Sequence, residues 1–369
     1  MSTLSYGRNA RPYLYGQELE AVAEVLEAGQ YGHGEVTERF EKEIAHFLGV
    51  PDAVAVSSGT AALHIALLAA GIGPGDEVIV PSFTFCATVH AIVASGAAPR
   101  FAEVNPDTGC VDSHSIAEAL TPATRAVLPV LYGGRAVELH GLCDELAGHG
   151  ITVVEDAAHA FGSYQGIRRV GATGALTCFS FGPIKNLTCG QGGAIIPRDP
   201  QEAERARAIR LLGIAATAED RTRIAAYRVQ GIGLRAHLSQ INAAIGLAQL
   251  PHFTTARTLR TGLWRSYATA LKSVDAAILV DADVEHAVPS LCAVRVPDRD
   301  RVFDALRARG IGVGTHYPPN HLQPAFARWH RPLPVTEHLG QHILTLPFHQ
   351  HMDDHDVRVT VTALGEALS

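Results

Sequence analysis

From about residue 50, short β-branched runs alternate with longer apolar stretches: VAV (54–56), AALHIALLAAG (61–71), EVIV (77–80), ATVHAIVASG (87–96) and a run around TRAVLPVLY (124–132). Strands alternating with helical stretches are the pattern of βαβ units, so a mainly parallel sheet with helices on both faces is expected. ITVVED (151–156), ALTCFSF (175–181) and GGAII (192–196) continue the strand character, and QEAERARAIRLLG (201–213) reads as a charged helix that closes the series. The sheet region is therefore roughly 50 to 200. A second helical block, INAAIGLAQL, runs into Pro251, after which the pattern changes to a long arginine-bearing helix and then to strands and loops rich in His and Pro. A boundary near 250 follows, giving a large domain with an N-terminal arm over 1–250 and a smaller C-terminal α+β domain over 251–369.

The chain has 369 residues, 47% of them hydrophobic and 18% charged, which suits a packed globular core. A formal net charge of −7, with no basic run, argues against a nucleic-acid partner. MSTLSYGRNARPYLYG lacks a basic region followed by an apolar stretch, and the most apolar segment, Ala61 to Ile72, is too short to span a bilayer. A soluble cytoplasmic protein is expected. Six cysteines without a C-x-x-C pair suggest reduced thiols, neither a disulfide framework nor a zinc knuckle.

Three segments carry candidate chemistry. In VAVSSGTAALHIALL a strand runs through Ser57, Ser58, Gly59 and Thr60 into a helix, where hydroxyls and unpaired N–H groups meet the positive end of the helix dipole. That suits a phosphate, although an ordinary serine N-cap has the same appearance. ITVVEDAAHAFGS ends a strand with two acids, and Asp156 falls where open α/β sheets place ligands. An aspartate there can pair with a protonated ring nitrogen or merely cap a helix. In CFSFGPIKNLTCGQGGAII, Lys185 lies in a turn between apolar strands, a setting that lowers a lysine pKa and favours Schiff-base chemistry. The glycine spacing of a nucleotide-binding phosphate loop is missing before it. Together the phosphate turn, the aromatic Phe85, Asp156 and Lys185 supply an anchor, a ring stack, a pyridinium partner and an aldehyde partner, the set a pyridoxal 5'-phosphate (PLP) site requires.

The segments SSGTAALHIALLAAGIGPGDEVIVPSFTFCAT, VVEDAAHAFGS, FSFGPIKN with GGAII, INAAIGLAQL, and HYPPNHLQP followed by LPFH resemble the DegT/DnrJ/EryC1/StrS sugar aminotransferases over nearly the whole chain. The resemblance implies the fold-type I PLP architecture, with a seven-stranded mainly parallel sheet, and a homodimer with shared active sites. It implies that Lys185 bonds the cofactor aldehyde, that Asp156 binds the pyridine nitrogen and that His159 lies near the ring's phenolic oxygen or the substrate. Phe85 would stack on the ring, while Ser58, Gly59, Thr60 and Ser180 would hold the phosphate. His316, Tyr317 and His321 would border the substrate cleft. The histidines there could otherwise suggest a metal, but no H-E-x-x-H run or carboxylate cluster accompanies them, and no metal is expected. Lysine at 185, where dehydrating relatives carry histidine, implies transamination.

The implied reaction takes an amino group from L-glutamate or L-glutamine and places it on a ketosugar, nucleotide-linked and ketonic at C4, in amino-sugar or antibiotic biosynthesis. A keto-cyclitol acceptor and a non-catalytic PLP-binding regulator are the alternatives. Three positions depart from the family pattern: Gly233 in GIGLR, where the family often has an asparagine that reaches the partner's phosphate; Leu131, often histidine; and Gln191, often glutamate.

Overall fold

The computed structural model describes residues 4–139, 141–214 and 226–369. Its central sheet contains β1 (Val54–Val56), β2 (Glu77–Pro81), β3 (Ala98–Ala102), β4 (Thr124–Val127), β5 (Thr152–Asp156), β8 (Leu176–Ser180) and β9 (Gly193–Ile196). A short hairpin of β6 (Tyr164–Gln165) and β7 (Arg168–Arg169) lies between β5 and β8 in the chain. The sheet order is β1-β9-β8-β5-β4-β2-β3. Only β9 runs against its neighbours, and all other pairings inside the sheet are parallel.

The strands are buried nearly end to end because helices cover both faces. Successive residues point to opposite layers: Ala55 and Ile79 enter one core, while Val54, Val56, Val78 and Val80 enter the other. Burying each such Val, Ile or Leu side chain contributes roughly 1.5–3 kcal/mol. The edge strand β3, APRFA, is absent from the sequence reading, since Pro99 and Arg100 interrupt its apolar run. Proline is tolerated there because an edge strand has a free side.

A second sheet, β10 (Ile278–Leu279), β11 (Cys292–Arg295) and β12 (Ile343–Leu346), is antiparallel and packs with the helices Phe253–Ala270, Arg299–Ala308 and Asp354–Leu368. Tyr267, Leu306 and Leu364 are fully buried in this separate core. The N-terminal arm reaches the same region: Asn9 Nδ2 donates to the Thr345 and Leu346 carbonyls at 2.9 and 3.2 Å, and Gly312 N donates to Tyr6 O at 2.8 Å. Arm and C-terminal segment thus meet beside the carboxyl ends of the parallel strands, where a ligand cleft is expected in this class of sheet. Among the described residues no helix is long and apolar enough to cross a membrane.

Candidate active site

A cavity of about 210 Å³ opens at the carboxyl ends of the strands. Its walls include Ser58, Gly59, Thr60, Phe85, Asp156, His159, Ser180, Lys185 and Tyr317, residues spread over 260 positions of sequence. All but Tyr317 arrive at the carboxyl end of a strand or in the turn just beyond it. Ser58 follows β1, Phe85 follows β2, Asp156 ends β5 with His159 just beyond it, and Ser180 ends β8 with Lys185 in the turn after it.

Ser58 caps the helix Gly59–Ala69, its hydroxyl accepting from Ala61 N at 3.1 Å. The capping role and the cavity-lining position therefore coincide. A Cβ on Gly59 would lie 2.7 Å from the Ser180 Cβ, so glycine is what lets the helix start this close to the end of β8. The N–H groups of Gly59 and Thr60 open the helix and have no intrahelical acceptor, and the hydroxyls of Thr60 and Ser180 stand beside them.

Asp156 is 5% exposed. Burial pushes its carboxyl up from the ordinary aspartate range, opposed by Thr88 Oγ1 donating at 2.8 Å, by Ala158 N donating at 3.1 Å, and by the Lys185 charge. Thr88 takes its own bond from the Thr84 hydroxyl at 2.9 Å, once its proton is committed to the carboxylate. Lys185 sits in the turn after β8, its N–H donating to Gly182 O at 3.2 Å. Burial lowers its amine to about 8, with Asp156 working in the opposite direction and Arg260 adding to the depression.

His159 Nδ1 accepts from Gly133 N at 3.3 Å, and its Nε2 is 3.2 Å from the Tyr317 hydroxyl. Burial and the nearby Lys185, His316 and Arg260 charges hold its imidazole well below the ordinary histidine range. Phe85 is 55% exposed and its ring centroid is 5.7 Å from that of Tyr317. A smaller space of about 40 Å³, lined by Asn9, Ser290, His316 and Phe348, shares His159, Ile184, Lys185 and Tyr317 with the main cavity. Lys185 therefore stands on a common wall. His316 lines this second space, with Nδ1 2.7 Å from Thr345 Oγ1 and an imidazole lowered to about 4 by burial and by Lys185.

His321 is placed differently from expectation. It is fully buried and lines neither space; Nδ1 lies 2.6 Å from Ser82 Oγ and Nε2 lies 3.2 Å from Glu337 Oε1. The Ser82, His321 and Glu337 line looks like a nucleophile relay, yet Ser82 is also fully buried and no substrate can reach it. With both ring nitrogens engaged, His321 braces the 316–324 segment against the end of β2. No group of three metal-type ligands converges among the described residues.

Two of the three departures resolve into packing, and the third faces the cavity. Leu131 is fully buried in the core. A Cβ at Gly233 would lie 2.3 Å from Gly213 N and 2.7 Å from Ile209 O, so the backbone there leaves no room for a side chain. Gln191 is exposed and lines the cavity. Thr88 and Gly133 are the contributors that sequence reasoning missed. Thr88 falls one helical turn after Phe85, a spacing that could have exposed it, whereas Gly133 acts through its backbone and leaves no side-chain signal.

The family model for the DegT/DnrJ/EryC1/StrS aminotransferase family matches residues 12–365. Among solved structures, DesV of S. venezuelae, crystallised with a ketimine intermediate, is 35% identical with a TM-score of 0.88, covering 97% of this chain and 98% of its own. The aminotransferase TlmJ from Streptoalloteichus hindustanus is 32% identical with a TM-score of 0.90, and 98% of each chain is covered. DesI, solved in the presence of its TDP-sugar product, is 31% identical with a TM-score of 0.86, covering 98% of this chain and 92% of that one. By this match and these likenesses, the chain belongs to the DegT/DnrJ/EryC1/StrS aminotransferase family and is a PLP-dependent, fold-type I enzyme acting on sugars.

Proposed function

We propose that this enzyme transfers an amino group from L-glutamate or L-glutamine to a nucleotide-linked 4-ketosugar in amino-sugar or antibiotic biosynthesis. The observation that carries the reading is the buried pair of Asp156 and Lys185 on one cavity, each perturbed by burial and each opposing the other's shift. DesI's TDP-sugar product supports a nucleotide-linked acceptor. The run FSFGPIKN is what favours C4.

The donor set fits the cofactor. The crowded Gly59 turn gives free N–H groups and hydroxyls for a phosphate dianion, and Asp156 offers a carboxylate for a ring nitrogen. PLP, when bound, supplies an electron sink and a carbon that can carry the amino group. Ser58, Gly59, Thr60 and Ser180 anchor the phosphate, and Phe85 covers a ring face. Asp156 keeps a proton on the pyridine nitrogen. Lys185, with its amine lowered to about 8, has a usable fraction of free base near neutral pH and moves the α-proton of the donor. His316 and Tyr317 border the acceptor.

The two spaces, about 210 and 40 Å³, fall below the roughly 300–1,000 Å³ of pockets that enclose drug-sized ligands. A sugar nucleotide therefore needs further walls. Exposed Tyr227, Val229 and Ile232 supply an apolar surface for a second copy of the chain. We infer a homodimer on this basis. Six unpaired cysteines favour a reducing compartment, the cytoplasm. We also retain the division near residue 250, for which the separate C-terminal core is the support.

The test is to assay the PLP-loaded enzyme with L-glutamate and, in separate reactions, a TDP-4-ketosugar, a TDP-3-ketosugar and a keto-inositol. Amination of the first alone is expected. Turnover of the keto-inositol alone would replace the sugar-nucleotide reading with the cyclitol one.

A further inference from the structure

The hydrogen bonds around His159 have a direction. Gly133 N is a backbone amide and can only donate, so Nδ1 of His159 must accept and carries no proton. The imidazole is neutral, held so first by burial and then by the positive charges of Lys185 and Arg260. Its single proton is therefore on Nε2, which donates to the Tyr317 oxygen 3.2 Å away. The tyrosine's own proton is then free of His159. Among the described residues Tyr317 Oη has no other hydrogen bond, and its residue lines both spaces beside Lys185.

We propose that Tyr317 is a hydrogen-bond donor of fixed direction, aimed at an oxygen of the bound ligand, with its polarity set by Gly133 N–H through His159. The inference rests on the PLP reading above and assigns a role within the same site. It also excludes a role. A proton taken from Tyr317 could be replaced from Nε2 only if Nδ1 gained a proton in turn, and the amide of Gly133 blocks that position. Gly133 N–H, His159 and Tyr317 thus polarise the ligand without relaying protons, and net proton transfer stays with Lys185. The oxygen can belong to the cofactor ring or to the acceptor carbonyl, since both offer a lone pair.

The experiment uses PLP-loaded protein carrying ¹⁵N-histidine, with His159 assigned by its absence in His159→Asn. NMR is expected to show the Nε2–H tautomer across pH 6 to 8, in wild type and in Tyr317→Phe alike. An Nδ1–H tautomer or an imidazolium in that range overturns the proposal. Tyr317→Phe keeps the ring against Phe85 and removes only the hydroxyl. Its half-reactions are followed by stopped-flow absorbance, the first with L-glutamate and the second with a TDP-4-ketosugar. A loss of about tenfold or more in the first identifies the cofactor oxygen, and a comparable loss confined to the second identifies the acceptor carbonyl. Rates unchanged in both overturn the proposal. Wild type that binds no PLP would instead sink the cofactor reading, while the tautomer of His159 would still be readable in the apoprotein.

Discussion

Replacing Thr88 with valine removes one hydroxyl and almost no volume, so the perturbation is chemical. Thr88 is 1% exposed and donates to Asp156 Oδ2 at 2.8 Å, while Thr84 donates to it from 2.9 Å. A hydrogen bond to a charged group is worth about 1.5–3 kcal/mol, a factor of about 10 to 150 in the ionisation equilibrium of Asp156. The direction follows from burial: the carboxyl already sits above its ordinary value, Thr88 is one of the contacts pulling it down, and the variant raises it further. Cofactor binding that requires the carboxylate is consequently weakened on the acid side of the profile. There, affinity for PLP at fixed pH should fall about ten- to hundredfold. Well above the carboxyl's folded-state pKa the aspartate is charged with or without Thr88, and the lost bond is common to apo and loaded protein, so affinity should stay within a few-fold of wild type. Fluorescence titration of apoprotein with PLP across pH gives both limbs. A uniform loss at every pH would mean that Thr88 acts through packing, and no loss at either end would refute the claim that it tunes Asp156.

Asp156→Asn should move the rate of PLP attachment to Lys185 toward lower pH. The aspartate charge is what raises an amine that burial brings down to about 8, so without it the free base appears earlier, as stopped-flow absorbance against pH would show. Equilibrium affinity should nevertheless drop, because the ring nitrogen loses its anion. Gly59→Ala places a Cβ 2.7 Å from that of Ser180, and overpacking of this kind costs about 1–3 kcal/mol. PLP affinity should fall about fivefold or more, and a wild-type titration curve would show that the helix start can shift freely. Gly233→Asn, which restores a common family residue, should lower the denaturation midpoint and the yield of folded protein, because the new Cβ meets backbone atoms of Gly213 and Ile209. Gain of PLP affinity in that variant would show that the 209–213 backbone yields.

Much of the sheet was legible because its strands are short, β-branched and separated by helical runs, and the local pattern reports burial on both faces. β3 escaped through Pro99 and Arg100, and the reversal of β9 escaped because a strand's direction is set by its connection. The cleft was legible where chemistry needs a side chain: Lys185, Asp156 and the Ser58 to Thr60 turn all line it. It was illegible where contacts are long-range or made by backbone. Nothing local to HYPPNHLQP distinguishes Tyr317, which reaches His159, from His321, which turns away toward Ser82 and Glu337.

The two acids that end β5 show how far environment decides a role that sequence only offers. Glu155 and Asp156 are adjacent, each about 5% exposed, and burial raises both. The two-residue period of a strand sends them to opposite faces. Glu155 meets Thr177, its cross-strand neighbour, at 2.7 Å, and its carboxyl rises to about 7. Burial works against its charged form, and among the described residues no cation pairs with it. Asp156 meets Thr88, Ala158 N and the field of Lys185, three influences that all favour the anion. A pyridinium partner must be an anion when the ring arrives, and of the two only Asp156 has surroundings that select that form. Exchanging the two environments would exchange the roles. Thr88 and Lys185 are therefore as much a part of the ring-nitrogen site as the carboxylate itself.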